Sequence, residues 1–358
     1  MKTQISAFRL FIVLSAVSLL VSLVFWFTGQ YSLIGIAVIT SIILFAFAVN
    51  SSQVYKGLAF TVWVLVFAAA AMFYPDILIT WGTFKLQDMI VPLIQIILFG
   101  MGMTLTFEDF VRIIRMPKAV ITGIVLQYAI MPLMGWTFAS VFRLPAEVAT
   151  GLILVGSCPS GAASNVITYL ARANVPLSVT LTACTTLISP LMTPLMMKFY
   201  AGRYVPVEFF PMMISILKMI IVPLILGLLI NRYINKFTVR LVRWLPFLSM
   251  LSICLIIGIT IALSRNEFFA VGLALFGASV CHNTAGYLLG YWCARAGGMN
   301  TQDCRTVAIE VGIQNGGMAT GLAFNVLGSK IAAMASAVFG PYSAVSSSIL
   351  ASYWRRGK

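Results

Sequence analysis

Twelve apolar stretches, each near twenty residues long, follow one another along this chain, separated only by short loops. They cover about 8–28, 31–50, 57–74, 87–107, 119–141, 148–172, 176–198, 210–231, 244–263, 269–294, 302–327 and 331–353. An α-helix needs about twenty residues to cross a hydrocarbon core of about 30 Å. A β-barrel would show short alternating segments instead. Backbone groups in lipid must be satisfied within their own segment, so continuous apolar runs imply helices. The composition agrees: 61% of residues are hydrophobic and 9% charged, where soluble domains carry roughly 25% charged residues. The fold class is therefore an all-α polytopic membrane protein.

The first run follows Lys2 and Arg9, and no small-x-small cleavage site comes after it. Gly29-Gln30-Tyr31-Ser32 leads straight into the second run. A retained first helix is expected rather than a cleaved signal. The six cysteines, with no CxxC pair, read as small packing residues. The net charge of +14 reflects loop composition rather than nucleic-acid binding. With the N-terminus inside, sixteen Lys and Arg residues fall on inner loops and six on outer ones, with Lys218 inside a span. That asymmetry predicts both termini in the cytoplasm.

An internal repeat runs through the chain. "QYAIMPLMGW" at 127–136 echoes "HNTAGYLLGYW" at 282–292, and a glycine-rich break at Pro159-Ser160-Gly161 precedes a second at Gln314-Asn315-Gly316-Gly317 by about the same interval. Residues 57–200 and 210–353 read as two five-helix repeats, after two additional helices in 1–56 and before a basic tail at 354–358. Five spans is an odd number, so the second repeat must be inverted. Inverted repeats with paired broken helices mark the binding site of secondary transporters.

Pro159 removes a backbone donor and Gly161 relaxes φ, so a continuous helix is not expected there. A new helix starting at Ala162 or Ala163 would turn its free N–H groups toward the break. Ser164 and Asn165 follow at once. Ser178 and Thr182, and likewise Glu310 and Gln314, stand four residues apart and share a helix face. Of nine acidic residues, Glu310 alone lies well inside a span. A carboxylate there is a functional-site hypothesis by default. One carboxylate with hydroxyls, amide oxygens and bare carbonyls suits a monovalent cation such as Na⁺, since a divalent ion usually calls for more carboxylates. A proton carried by Glu310 is the competing reading.

The stretch "GSCPSGAASNVITYLARANVPLSVTLTACTTLISPLMTP" from Gly156, with "EVGIQN", "QYAIMP" and "HNTAGYLLG", resembles the bile acid:sodium symporter family, in its bacterial bile-acid-like and pantoate-type branch. The resemblance spans about residues 57–353. It implies two inverted five-helix repeats whose broken helices cross, a core domain moving against a panel domain, and uptake of an organic anion coupled to two sodium ions. One Na⁺ site would use Ser164, Asn165, Ser178, Thr182 and Glu310. The second would use Gln127, Glu310, Gln314 and the carbonyls of Val311 and Ile313. Substrate would sit by Ser160, Gly161, Ala162, Ala163 and Asn315, with His282 nearby. Many relatives have threonine where this chain has Ala162, and Ser160 is placed to substitute.

Plainer roles stand beside these. Glu310 would cap a backbone end, Gln127 would bond across helices, and Ser178 and Thr182 would bond their own helix. His282 reads more readily as a packing residue than as a catalyst, and Lys218 as a snorkelling cation. One histidine, no Ser/His/Asp set and no phosphate loop argue against an enzyme. The expected protein is a monomeric sodium-coupled organic-anion symporter of a bacterial inner membrane, with proton-coupled or ion-independent transport as the alternative.

Overall fold

A computed structural model describes residues 2–52, 58–234 and 241–356. The side chains at 2–6, 110, 113 and 356 are not among those described. Lys56, Lys236, Arg240 and Lys358, which entered the charge asymmetry, lie outside the described residues. Eight helices among the described residues are long and apolar enough to cross a membrane. The other predicted spans are a shorter apolar helix, two pairs of half-helices and the less apolar last helix. The chain divides into two compact units, one of residues 1–89 and 253–265, the other of residues 90–252 and 266–358.

The first unit begins with α1 (Lys2–Phe27) and α2 (Tyr31–Ser51). Apolar surface gives no drive for association in lipid, so small and polar residues hold such pairs together. Here Ser15 Oγ donates to the Ser41 carbonyl at 2.9 Å, Ser41 Oγ to the Ser15 carbonyl at 2.8 Å, and Ser18 Oγ to the Ala37 carbonyl at 2.8 Å. Next come α3 (Ala59–Phe73) and α4 (Asp76–Ile79). A hairpin of β1 (Thr80–Trp81) and β2 (Phe84–Lys85) turns at Gly82, where φ is +62°.

The second unit holds α5 (Ile90–Thr104), α6 (Phe107–Arg115) and α7 (Pro117–Val141). Then follow α8 (Ala146–Ser157), α9 (Ala163–Leu170) and α10 (Val175–Tyr200). A π segment at Leu217–Ile221 joins α11 (Phe209–Ile216) to α12 (Val222–Tyr233). Pro223 has no N–H to offer the carbonyl four residues back, which is where an α-helical ladder loses its register. Lys218 in this segment is exposed. The chain continues through α13 (Leu245–Leu263), within which the unit boundary falls, and α14 (Arg265–Ala296). It ends with α15 (Thr301–Gly312), α16 (Gly316–Asn325) and α17 (Lys330–Arg356).

Glycines let these helices come close. A Cβ at Gly102 would run into the Leu224 carbonyl, and one at Gly227 into that of Phe99, so α5 and α12 meet backbone to backbone. The half-helices α8 and α15 are deeply enclosed: every residue of α8 from Val148 to Ser157 is buried, as is α15 from Thr306 to Gly312. The short helix α6 departs from the expected pattern of spans. It opens with a capping box between Thr106 and Asp109, and Asp109 also pairs with Arg112 at 2.5 Å. Its exposed Ile114 and its charged residues suit a helix lying along the membrane–water boundary.

Candidate functional site

The first break falls at Pro159 and Gly161, the second just before Gly316 and Gly317. After α8, Cys158 turns to extended backbone (φ −78°, ψ 158°); after α15, Ile313 does the same (φ −97°, ψ 115°). The two extended segments lie antiparallel, with Ser160 facing Gln314. The Asn315 N–H donates to the Pro159 carbonyl at 2.9 Å, and the Gly161 N–H donates to the Ile313 carbonyl at 3.1 Å. Ser160 Oγ reaches the same Ile313 carbonyl at 3.2 Å. A side chain at Gly161 would stand 2.8 Å from the Gln314 carbonyl oxygen, which leaves room for glycine alone.

A helix that stops inside a membrane leaves carbonyls that water cannot reach. Three carbonyls at these ends are met by side-chain amides. Gln127 Nε2 on α7 donates to the Cys158 carbonyl at 2.9 Å, and Asn283 Nδ2 on α14 donates to the Gly312 carbonyl at 2.8 Å. Gln314 Nε2 takes the Val311 carbonyl at 2.6 Å. The N-terminal ends differ from each other. Asn315 Oδ1 caps α16 by accepting from the Met318 N–H at 3.0 Å. On α9 no side chain caps the end, and Ala162 and Ala163 are exposed.

Beside the crossing, five side chains from three helices converge. Glu310 on α15 is buried, with 3% of its surface exposed. Its Oε1 accepts from Ser178 Oγ at 2.5 Å and its Oε2 from Thr182 Oγ1 at 2.9 Å, both on α10. Ser178 Oγ also stands 2.8 Å from Asn165 Oδ1, and Thr182 Oγ1 stands 3.2 Å from Ser164 Oγ, both on α9. The cage presents the two carboxylate oxygens, three hydroxyls and one amide oxygen. A hydroxyl carries one proton, so Ser178 cannot donate to Asn165 and Glu310 together. Oxygens outnumber the protons that could separate them. The ion pair of Arg112 with Asp109 lies elsewhere, and among the described residues no side-chain cation is paired with Glu310.

Gln127 and Gln314 form a second, adjoining group. Gln127 Nε2 donates to Gln314 Oε1 at 2.8 Å, while Gln314 holds the Val311 carbonyl. Glu310 bonds to the first group, and the Ile313 carbonyl is engaged across the crossing. His282 stands apart from both. Its Nε2 meets the Met131 carbonyl at 2.9 Å, and its ring lies 5.3 Å from that of Phe339 in a fully buried setting.

A third group, which the sequence pattern does not single out, lies at the N-terminal ends of α10 and α15. Asn174 Nδ2 donates to Asp303 Oδ1 at 2.7 Å, and the Asn174 N–H donates to Thr306 Oγ1 at 2.9 Å. Asn300 Nδ2 holds Asp303 Oδ2 at 2.7 Å. The asparagine before Val175-Pro176 is an N-cap signal that could have drawn attention to it. Asn300 and Asp303 also line a cavity of about 410 Å³ with Arg115 and Lys118.

The sequence is similar to known proteins. Residues 91–271 match the sodium bile acid symporter family. The chain is 39% identical over 302 residues to the uncharacterized sodium-dependent transporter YocS of Bacillus subtilis (strain 168), covering 84% of this chain and 92% of that protein. It is 36% identical over 305 residues to the probable sodium/metabolite cotransporter BASS1, chloroplastic, of Oryza sativa subsp. japonica, covering 84% and 73%. The corresponding BASS2 of the same plant is 36% identical over 296 residues, covering 83% and 70%.

Proposed function

Since the chain belongs to the sodium bile acid symporter family, a family of transporters rather than enzymes, we propose that it moves an organic anion across the membrane coupled to Na⁺. The observation that carries this reading is the Glu310 cage. A buried carboxylate ringed by neutral oxygens, with too few protons and no described side-chain cation paired with it, is a chemical match for a small hard cation. Ser164, Asn165, Ser178, Thr182 and Glu310 would hold one ion.

A second ion would use Gln127, Glu310, Gln314, Val311 and Ile313. The Gln127–Gln314 pair supports this, because turning the Gln314 amide would free the Val311 carbonyl and aim an oxygen inward. The anion would sit at the uncapped start of α9, near Ser160, Gly161, Ala162, Ala163 and Asn315, where free N–H groups favour negative charge. A bile-acid-like or small pantoate-like carboxylate fits that chemistry. His282 takes no part in this reading. Two ions would offset Glu310 and one substrate anion, leaving the site near neutrality as two inverted repeats exchange access. We place the protein in a bacterial inner membrane as a monomer, with both termini cytoplasmic.

Melting the purified protein against NaCl, KCl and choline chloride tests the coupling ion. A ligand at a hundred times its Kd stabilises the folded state by about 2.7 kcal/mol. Na⁺ alone is expected to raise the wild-type midpoint, and Glu310→Gln is expected to be flat. A midpoint indifferent to the cation but responsive to pH in the wild type alone would make Glu310 a proton carrier instead.

A further inference from the structure

The two main walls of the cage are separate helices. Ser178 and Thr182 stand on α10, and Glu310 stands on α15. The distance between those walls decides which cation the oxygens can all reach at once. Apart from the two cage contacts themselves, the hydrogen bonds between α10 with its cap and α15 are those of Asn174 with Asp303 and Thr306.

We propose that Asn174 and Asp303, by fixing the register of α10 against α15, set the width of the cage and so its choice of Na⁺ over K⁺. This rests on the sodium reading above. Asn174 stands four residues before Ser178, about one turn, while on α15 Thr306 stands four and Asp303 seven residues before Glu310, about one and two turns.

Every polar atom of the clamp is pinned. Asn174 Oδ1 accepts from the Leu177 N–H at 3.1 Å, while Asn174 Nδ2 meets Asp303 Oδ1. Asp303 Oδ2 is held by Asn300 Nδ2, whose own Oδ1 accepts from the Asp303 N–H at 2.9 Å. Amide-to-carboxylate bonds are of the stronger, charge-assisted kind, and the carboxylate sits in the first turn of α15, where the helix dipole favours it. Closely packed helices do not stretch continuously, so a fixed offset at the clamp is passed to the cage one to two turns away. Alkali cations are told apart by the size of an oxygen cage and by how many oxygens reach the ion at once, and the wall spacing acts on both.

The experiment compares Na⁺, Li⁺ and K⁺ titrations of the melting midpoint for four full-length proteins: wild type, Asn174→Asp, Asp303→Asn and the double variant. Asn174→Asp sets carboxylate against carboxylate. It is expected to raise the half-saturating Na⁺ concentration about tenfold or more and to bring the Na⁺ and K⁺ values together. Asp303→Asn keeps a neutral contact, and is expected to shift the same values by about threefold in the same direction. It serves if the first variant does not fold. The double variant restores an amide facing a carboxylate in reverse order, and should recover the wild-type preference. Lower melting in choline with an unchanged Na⁺ midpoint and Na⁺/K⁺ ratio would overturn the proposal and make the clamp a structural tie. A wild type with no Na⁺ response would instead remove the sodium reading, and this inference with it.

Discussion

Glu310 has two hydroxyl donors, Ser178 and Thr182, and each also faces an oxygen of α9. The nearer donor is Ser178, at 2.5 Å. Ser178→Ala removes one oxygen of the cage while leaving its helix intact. A hydrogen bond to a charged group contributes about 1.5–3 kcal/mol. The half-saturating Na⁺ concentration of the variant is therefore expected to rise by about tenfold or more, read from melting midpoints in NaCl against choline chloride. An unchanged value would place the ion away from Ser178. Glu310 is legible in the sequence because a carboxylate inside an apolar run is costly and rare there. Ser178 and Thr182 are legible through their four-residue spacing. The bond from Asn283 to the Gly312 carbonyl is not, and neither is that from Asn174 to Asp303. Polar residues near helix ends are ordinary, and these partners lie 29 and 129 residues apart in the chain.

At the scale of elements, the breaks at 158–162 and 313–315 follow from local chemistry. Proline withholds a donor, glycine admits close approach, and the freed groups find each other across the crossing. Gly161→Ala is expected to lower stability by about 1–3 kcal/mol, as overpacking does, because its Cβ would meet the Gln314 carbonyl oxygen at 2.8 Å. Chemical denaturation or melting in detergent checks this, and an unchanged midpoint would mean that the crossing is loosely packed. The start of α9 at Ala163 is legible to within a residue, since Pro159 and Gly161 punctuate strongly. Helix α6 is not. It is nine residues long and sits in a stretch rich in charge, too short for its period to stand out from a loop. The π segment beside Pro223 is hidden for a different reason: a proline within an apolar run signals a disturbance but not its form.

For the molecule as a whole, hydrophobic length and loop charge carry most of what the sequence makes legible. Eight long apolar helices and the two interrupted pairs account for most of the predicted spans. The charge asymmetry makes a statement about sides that labelling can check. Arg115 and Arg203 are both exposed, on loops assigned to opposite faces. With Cys281 and Cys293 replaced by serine, Arg203→Cys is expected to react with a membrane-impermeant maleimide in intact cells. Arg115→Cys is expected to react only after permeabilisation. The reverse pattern would invert the orientation. The reciprocal bonds at the crossing reach further. Pro159 lends an acceptor and Gly161 a donor, and Asn315 and Ile313 answer in kind. Cut between Tyr200 and Phe209, either fragment would carry one open donor and one open acceptor into the middle of a bilayer, at several kcal/mol for each group left unmet. Each half is in effect the other's chaperone. During synthesis the first break must wait, its groups unmet by protein, until the second has been made.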